Sequence, residues 1–135
     1  MFRALRYTAA FVGVALSLGA CGGVQNQARE AADPNIAPVN YKPDIQAFLR
    51  TYLNDPTKIR GAFISEPALM QIGGVQRYVS CLKFNARKSN GEYEGSKDRL
   101  VLFLSGRLDT MVMAKPDQCA KAVYQPFPEI ERLTR

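Results

Sequence analysis

The sequence predicts a small α+β domain: one N-terminal amphipathic helix packed on an antiparallel β-meander of three to four strands, with a C-terminal tail stapled by a disulfide. Three observations carry the layered part of that expectation. Ile45, Phe48, Leu49, Tyr52 and Leu53 recur at i, i+3, i+4, i+7 and i+8, which places them along one stripe of a helix. Apolar residues then alternate along three stretches, Tyr78, Leu82, Phe84 and Ala86, next Leu100, Leu102 and Leu104, and finally Leu108, Thr110, Val112 and Ala114. Ser105-Gly106 stands between the last two as a two-residue hairpin turn, so those strands run antiparallel.

Along the chain, residues 1–20 precede the fold. Arg3 and Arg6 make a basic start, and the apolar run from Thr8 to Gly19 is shorter than the ~20 residues that a membrane-crossing helix needs. This is the pattern of a secretory signal peptide. Leu18-Gly19-Ala20-Cys21 resembles the lipobox of bacterial lipoproteins, a match that covers residues 1–22. The resemblance implies cleavage before Cys21, a diacylglycerol with fatty acyl chains such as palmitate on its thiol, and attachment to a membrane. Each buried CH2 contributes roughly 0.8 kcal/mol, so two or three chains on one residue hold a soluble domain at a bilayer. The residues alone also allow a plain secretory signal that leaves Cys21 free. Gly22, in place of Asp, resembles lipoproteins sent on to the cell outer membrane, which implies a protein facing the periplasm.

Residues 21–39 follow as the lipid-bearing Cys and a tether, rich in Gly, Gln and Ala and without an aromatic, and residues 40–135 form the single small domain. Pro43 and Asp44 suit a helix's first turn, and Asn54-Asp55-Pro56 stops the helix. Lys58 to Ser65 reads as a short first strand or irregular edge ended by Glu66-Pro67, and Gly73-Gly74 as a turn before the sheet proper. Asn90-Gly91 lies within a longer connection from Lys88 to Lys97.

The alternation leaves Val79, Cys81, Val101, Phe103, Met111 and Met113 on the face away from the helix, too apolar together for water. Three Cys in an exported chain leave one unpaired, and with Cys21 spent on lipid the remainder is Cys81 and Cys119. Closing that loop of about 38 residues contributes roughly 4 kcal/mol in the chain-entropy account. The expected cover of the second face is therefore the C-terminal segment, with Val123, Tyr124, Phe127, Ile130 and Leu133. A fixed partner in the same place is the alternative.

Composition narrows the function classes. With no His among 135 residues, Ser-His and Cys-His nucleophile pairs and His-based metal sites are excluded. Loss of residues 1–20 removes two of 18 basic residues and none of 12 acidic ones, leaving a mild net charge of +4. No basic stripe interleaved with aromatics points to nucleic acid. The paired carboxylates Glu92 and Glu94, with Glu66 and Asp109 elsewhere, are the acid-base groups left, and the pair lies in a Gly-bounded, solvated loop. No phosphate loop, nucleophile elbow or metal-ligand spacing is present. No enzyme, no metal and no cofactor are expected.

Two segments are candidates for partner contact: Glu92, Tyr93 and Glu94 in the loop, and Tyr124 with Phe127 in an aromatic-proline segment. Asp55-Pro56-Thr57, Cys81, Asn85-Ala86-Arg87, Asn90-Gly91, Tyr93 and Gly95 together resemble small exported bacterial lipoproteins without an assigned activity, over residues 41–130. The layout is also loosely similar to small lipoproteins that serve outer-membrane assembly. The expected function is that of a lipid-anchored, non-catalytic interaction or scaffolding module of the cell envelope. A small-ligand or lipid carrier and an inhibitor-type binding protein are the alternatives; the carrier requires an apolar cavity of at least ~300 Å³ between helix and sheet.

Overall fold

A computed structural model describes residues 35–135, so the signal segment, Cys21 and most of the tether lie outside the described residues. The apolar stripe forms helix α1, Tyr41–Tyr52, which buries Ile45 and Leu49 completely. At its end Leu53 turns extended (φ −84°, ψ 140°), two residues ahead of Asp55, the residue for which Pro56 disfavours helical geometry.

Six strands follow, rather than three to four: β1 Asp55–Ser65, β2 Ala68–Ile72, β3 Val75–Arg87, β4 Lys97–Leu104, β5 Arg107–Met113 and β6 Tyr124–Pro126. A short helix, α2, Pro128–Glu131, closes the chain. The strand order is β5-β4-β3-β1-β6, with β2 paired to β3, and every pairing is antiparallel. The meander is thus β3-β4-β5. The Lys58–Ser65 stretch is not an edge, for β1 lies between β3 and β6.

β1 and β2 are one strand in space, interrupted by a bulge. Between the pairs Ile64–Leu82 and Ala68–Val79 the β1–β2 side spends three residues and β3 only two. The surplus falls at Ser65-Glu66-Pro67, and the Ser65 hydroxyl accepts the Cys81 N–H (2.9 Å) that the interrupted ladder leaves over. Gly73-Gly74, with φ of 59° and 81°, then turns β2 back into β3. Both residues sit in the left-handed region that a type I′ hairpin requires.

One face of the sheet carries the main core. Leu82, Phe84 and Ala86 of β3 meet Ile45 and Leu49 of α1, together with Val101, Phe103 and Met111. The second face is built on Val79, Cys81, Leu100, Leu102 and Cys119. The faces expected for β3 are those observed, but those expected for β4 are reversed, and Met111 moves with them. The cause is register: Cys81 pairs with Leu100 and Ser80 with Val101, and directly paired residues share a face. A further register shift at Leu102/Phe103 brings Leu108 and Met111 to the same side.

The C-terminal segment covers both faces in turn, where the sequence expectation placed it over one. Cys119 is bonded to Cys81 (Cα–Cα 5.9 Å), which lays the turns of residues 115–122 over the second face. β6 next adds to the edge of β1. The chain then crosses to the helix side, where Phe127 and Ile130 are fully buried and Leu133 nearly so. Ala62, beside the positive-φ Gly61 in β1, is gripped by this tail: its C=O accepts the Phe127 N–H (2.8 Å) and its N–H donates to the Glu131 carboxylate (2.8 Å).

Candidate functional site

Where β6 ends, the sheet edge opens. β6 pairs only with Phe63, Ile64 and Ser65, because the residues before it are drawn away over the second face by the Cys81–Cys119 bond. β2 therefore has a strand on one side only. Ile72 and Val75 flank a two-residue turn and so form a hydrogen-bonded pair, as do Met70 with Arg77 and Ala68 with Val79. Leu69 and Gln71 consequently turn their N–H and C=O groups outward, and among the described residues no strand meets them.

Beside this edge lies a partly open groove of about 680 Å³. Val79 and Cys81 make its floor, Ala68 and Met70 one wall, and Ala122 and Val123 the other. Its rim is polar, with Glu66 on the bulge and Asp117 and Lys121 on the stapled segment. Burial, reinforced by the hydrogen bond to Glu66, pushes the Tyr41 phenol up to about 12. The groove offers apolar surface, two free backbone amides and charges of both signs. The cysteine in its lining, Cys81, is held in the disulfide. Among the described residues no group of His, Cys, Asp or Glu could hold a metal ion, and no helix is long and apolar enough to cross a membrane.

Of the residues singled out from sequence, Cys81 and Cys119 are brought together in the disulfide and Glu66 stands on the groove's rim, whereas the candidate contact residues do not line it. Tyr93 is half-buried, its hydroxyl donating to the Lys58 carbonyl (2.8 Å) and its ring covered by Arg60 at 4.1 Å. Glu94 takes Lys97 (3.1 Å) and faces Arg99 (3.9 Å), while Glu92 is exposed and bonded to Asn90. The loop is tied down further by Gly95 N–H donating to Asn85. Tyr124 lies against the second face with Lys83 over its ring, and burial together with its hydrogen bond to Asp98 raises its phenol well above the ordinary range. Phe127 is fully buried in the main core and presents no surface to a partner. Cys21 lies outside the described residues.

The edge of β2 was missed although a signal for it exists. A Gly-Gly pair between two apolar stretches, Ala68–Ile72 and Val75–Arg87, is a hairpin signature, and the preceding Glu66-Pro67 is where a strand breaks. No protein-family model, no curated protein and no solved structure matches this chain.

Proposed function

We propose that this chain is a lipid-anchored protein of the cell envelope, held by a diacylglycerol on Cys21 at the outer membrane and facing the periplasm, whose domain works without catalysis by gripping an extended segment of an envelope protein along β2. The observation that carries the gripping role is the outward-turned backbone of Leu69 and Gln71 beside an apolar groove. Strand addition draws affinity from main-chain hydrogen bonds and specificity from pockets for alternate side chains, and the groove supplies the second beside the first. The Ala68–Ile72 stretch carries neither charge nor Pro, the devices by which edge strands are ordinarily kept from pairing. The segment that fits presents small or apolar side chains at every second position toward Met70 and Val79.

A carrier would keep its ligand between helix and sheet. That space is occupied by Phe84, Phe103 and Phe127, all fully buried, so the groove is the better-supported site.

Leu69→Pro separates recognition from folding, since it deletes an N–H that points away from β3 and leaves that ladder intact. With a photo-crosslinking side chain at Gln71 in cells, one envelope protein should be captured, and Leu69→Pro should reduce that product at least tenfold without lowering the melting temperature by more than a few degrees. Crosslinking indifferent to Leu69→Pro, or capture only when the photo-crosslinking side chain is placed in the Lys88–Lys97 loop and not at Gln71, would contradict the reading. Cys21→Ser addresses the anchor separately: a cleaved variant that still needs detergent for extraction would refute lipidation.

A further inference from the structure

The hairpin end of the sheet is distinguished from the other end by the arrival there of the chain that precedes α1. β3 and β4 pair with Val79 opposite Leu102, so the Gly73-Gly74 and Ser105-Gly106 turns project from the same end. The chain leading from Cys21 arrives there too. The Ile36 methyl would stand 3.1 Å from a Cβ at Gly106, and Ala37 O lies 3.6 Å from the same position, so Gly106 admits the incoming chain across the hairpin tip. Around this arrival point stand Ile36, Val39, Val75 and Leu104, exposed by 48%, 88%, 52% and 38%. Four aliphatic side chains in water at one end of a small domain call for a partner. Arg107 stands among them, its side chain 84% exposed and 3.9 Å from Asp44. The opposite end carries the connection between β3 and β4, where Lys88, Ser89, Asn90 and Glu92 are exposed, and beside it Val112 and Met113 at the end of β5, which are exposed too.

We infer that the hairpin end is a docking surface for the lipid bilayer, with Val39, Val75 and Leu104 at the headgroup boundary and Arg107 toward lipid phosphate. The inference rests on the lipid-anchor reading. Thirteen residues separate Cys21 from Asn35, a span of at most about 50 Å, so the acyl chains hold the end at which the chain arrives within that distance of the membrane. That end carries the exposed Ile36, Val39, Val75 and Leu104, whose side chains suit an interface. Docking there leaves the β2 edge along the flank of the domain, open to a periplasmic segment.

The chain contains no Trp, so single substitutions report position without background. Val39→Trp, Val75→Trp and, as a control at the far end, Lys88→Trp are introduced into the full-length lipoprotein. The proteins are reconstituted into phosphatidylethanolamine–phosphatidylglycerol vesicles with brominated acyl chains. Trp at 39 and 75 should shift to the blue and be quenched at least threefold more than Trp at 88. Equal quenching at all three positions, in protein that floats with the vesicles and carries acylated Cys21, would overturn docking alone. Protein that neither floats nor carries lipid would overturn the anchor as well as the docking that rests on it. A blue shift that follows protein concentration and not lipid would assign the surface to a second copy and overturn the inference.

Discussion

Arg99 is a charge held inside the fold, and its surroundings explain how. It lies in β4, 5% exposed, with its guanidinium 3.8 Å from the centroid of the Phe84 ring and donating to the carbonyls of Phe84 (3.2 Å) and Lys97 (3.0 Å). Burial pulls its pKa down and the Glu94 carboxylate opposes that shift. Ser80 is the contrary case: its hydroxyl is buried on the main face and finds no hydrogen-bond partner among the described residues. Ser80→Ala removes that unmet polar group beside Val101, so it should leave stability unchanged or raise it by about 1 kcal/mol, read from the urea midpoint. Asp55 supplies a pH dependence. Its carboxylate accepts from the Thr57 hydroxyl (2.6 Å) and N–H (3.0 Å) and faces Arg87 at 3.3 Å. The Thr57 hydrogen bonds foremost, with Arg87 adding to them, hold its pKa below the ordinary carboxylate value. A carboxyl whose folded pKa is lowered contributes stability that is full above its unfolded value near 4 and disappears as pH falls through the lowered folded value. Asp55→Asn should therefore be less stable than wild type at pH 7, and urea midpoints of the two proteins should converge as pH falls below about 4.

At the scale of elements, the disulfide and the tail do different work. Replacing Cys81 and Cys119 by Ala should cost about 2–5 kcal/mol and loosen residues 115–122, exposing Val79, Leu100 and Leu102. Truncation after Lys115 should be far more damaging. It removes β6 from the sheet and Phe127, Ile130 and Leu133 from the main core, and burying each of the large ones is worth ~1.5–3 kcal/mol. Circular dichroism should show loss of the cooperative transition in the truncated chain and its retention in the double Ala variant. These elements also show what sequence could reveal. The stripe Ile45, Leu49 and the alternation Leu82, Phe84, Ala86 are legible because polar residues interrupt them. Leu100 to Leu104 is apolar at every position, so its phase cannot be read and one step of register reverses both faces. The Cys81–Cys119 pairing was legible from cysteine count; the groove it creates was not, since that depends on where the stapled segment leaves the edge. Nor could sequence show that Tyr93 would be covered by Arg60, a residue 33 positions earlier in the chain.

Over the whole described domain, residues 115–122 cover one face of the sheet and α1 and α2 the other. The outer edges of β5 and β6 end the strand order, and two further regions stand open: the outer edge of β2 and the apolar hairpin end. The two are at right angles to each other, one along a strand and one across strand ends, so a lipid-anchored molecule could use both at once. The proposed addition of an extended segment to β2 has a direct readout. Hydrogen exchange at the Leu69 and Gln71 amides tests it most directly, because those N–H groups point away from β3 and only an added strand can protect them. In detergent-purified protein both amides should exchange at nearly the rate of an unstructured chain, while the neighbouring Met70 is protected by its pairing with Arg77. In native envelope membranes both should slow by at least tenfold with Met70 unchanged. Equal and rapid exchange of Leu69 and Gln71 in the two preparations would contradict the account.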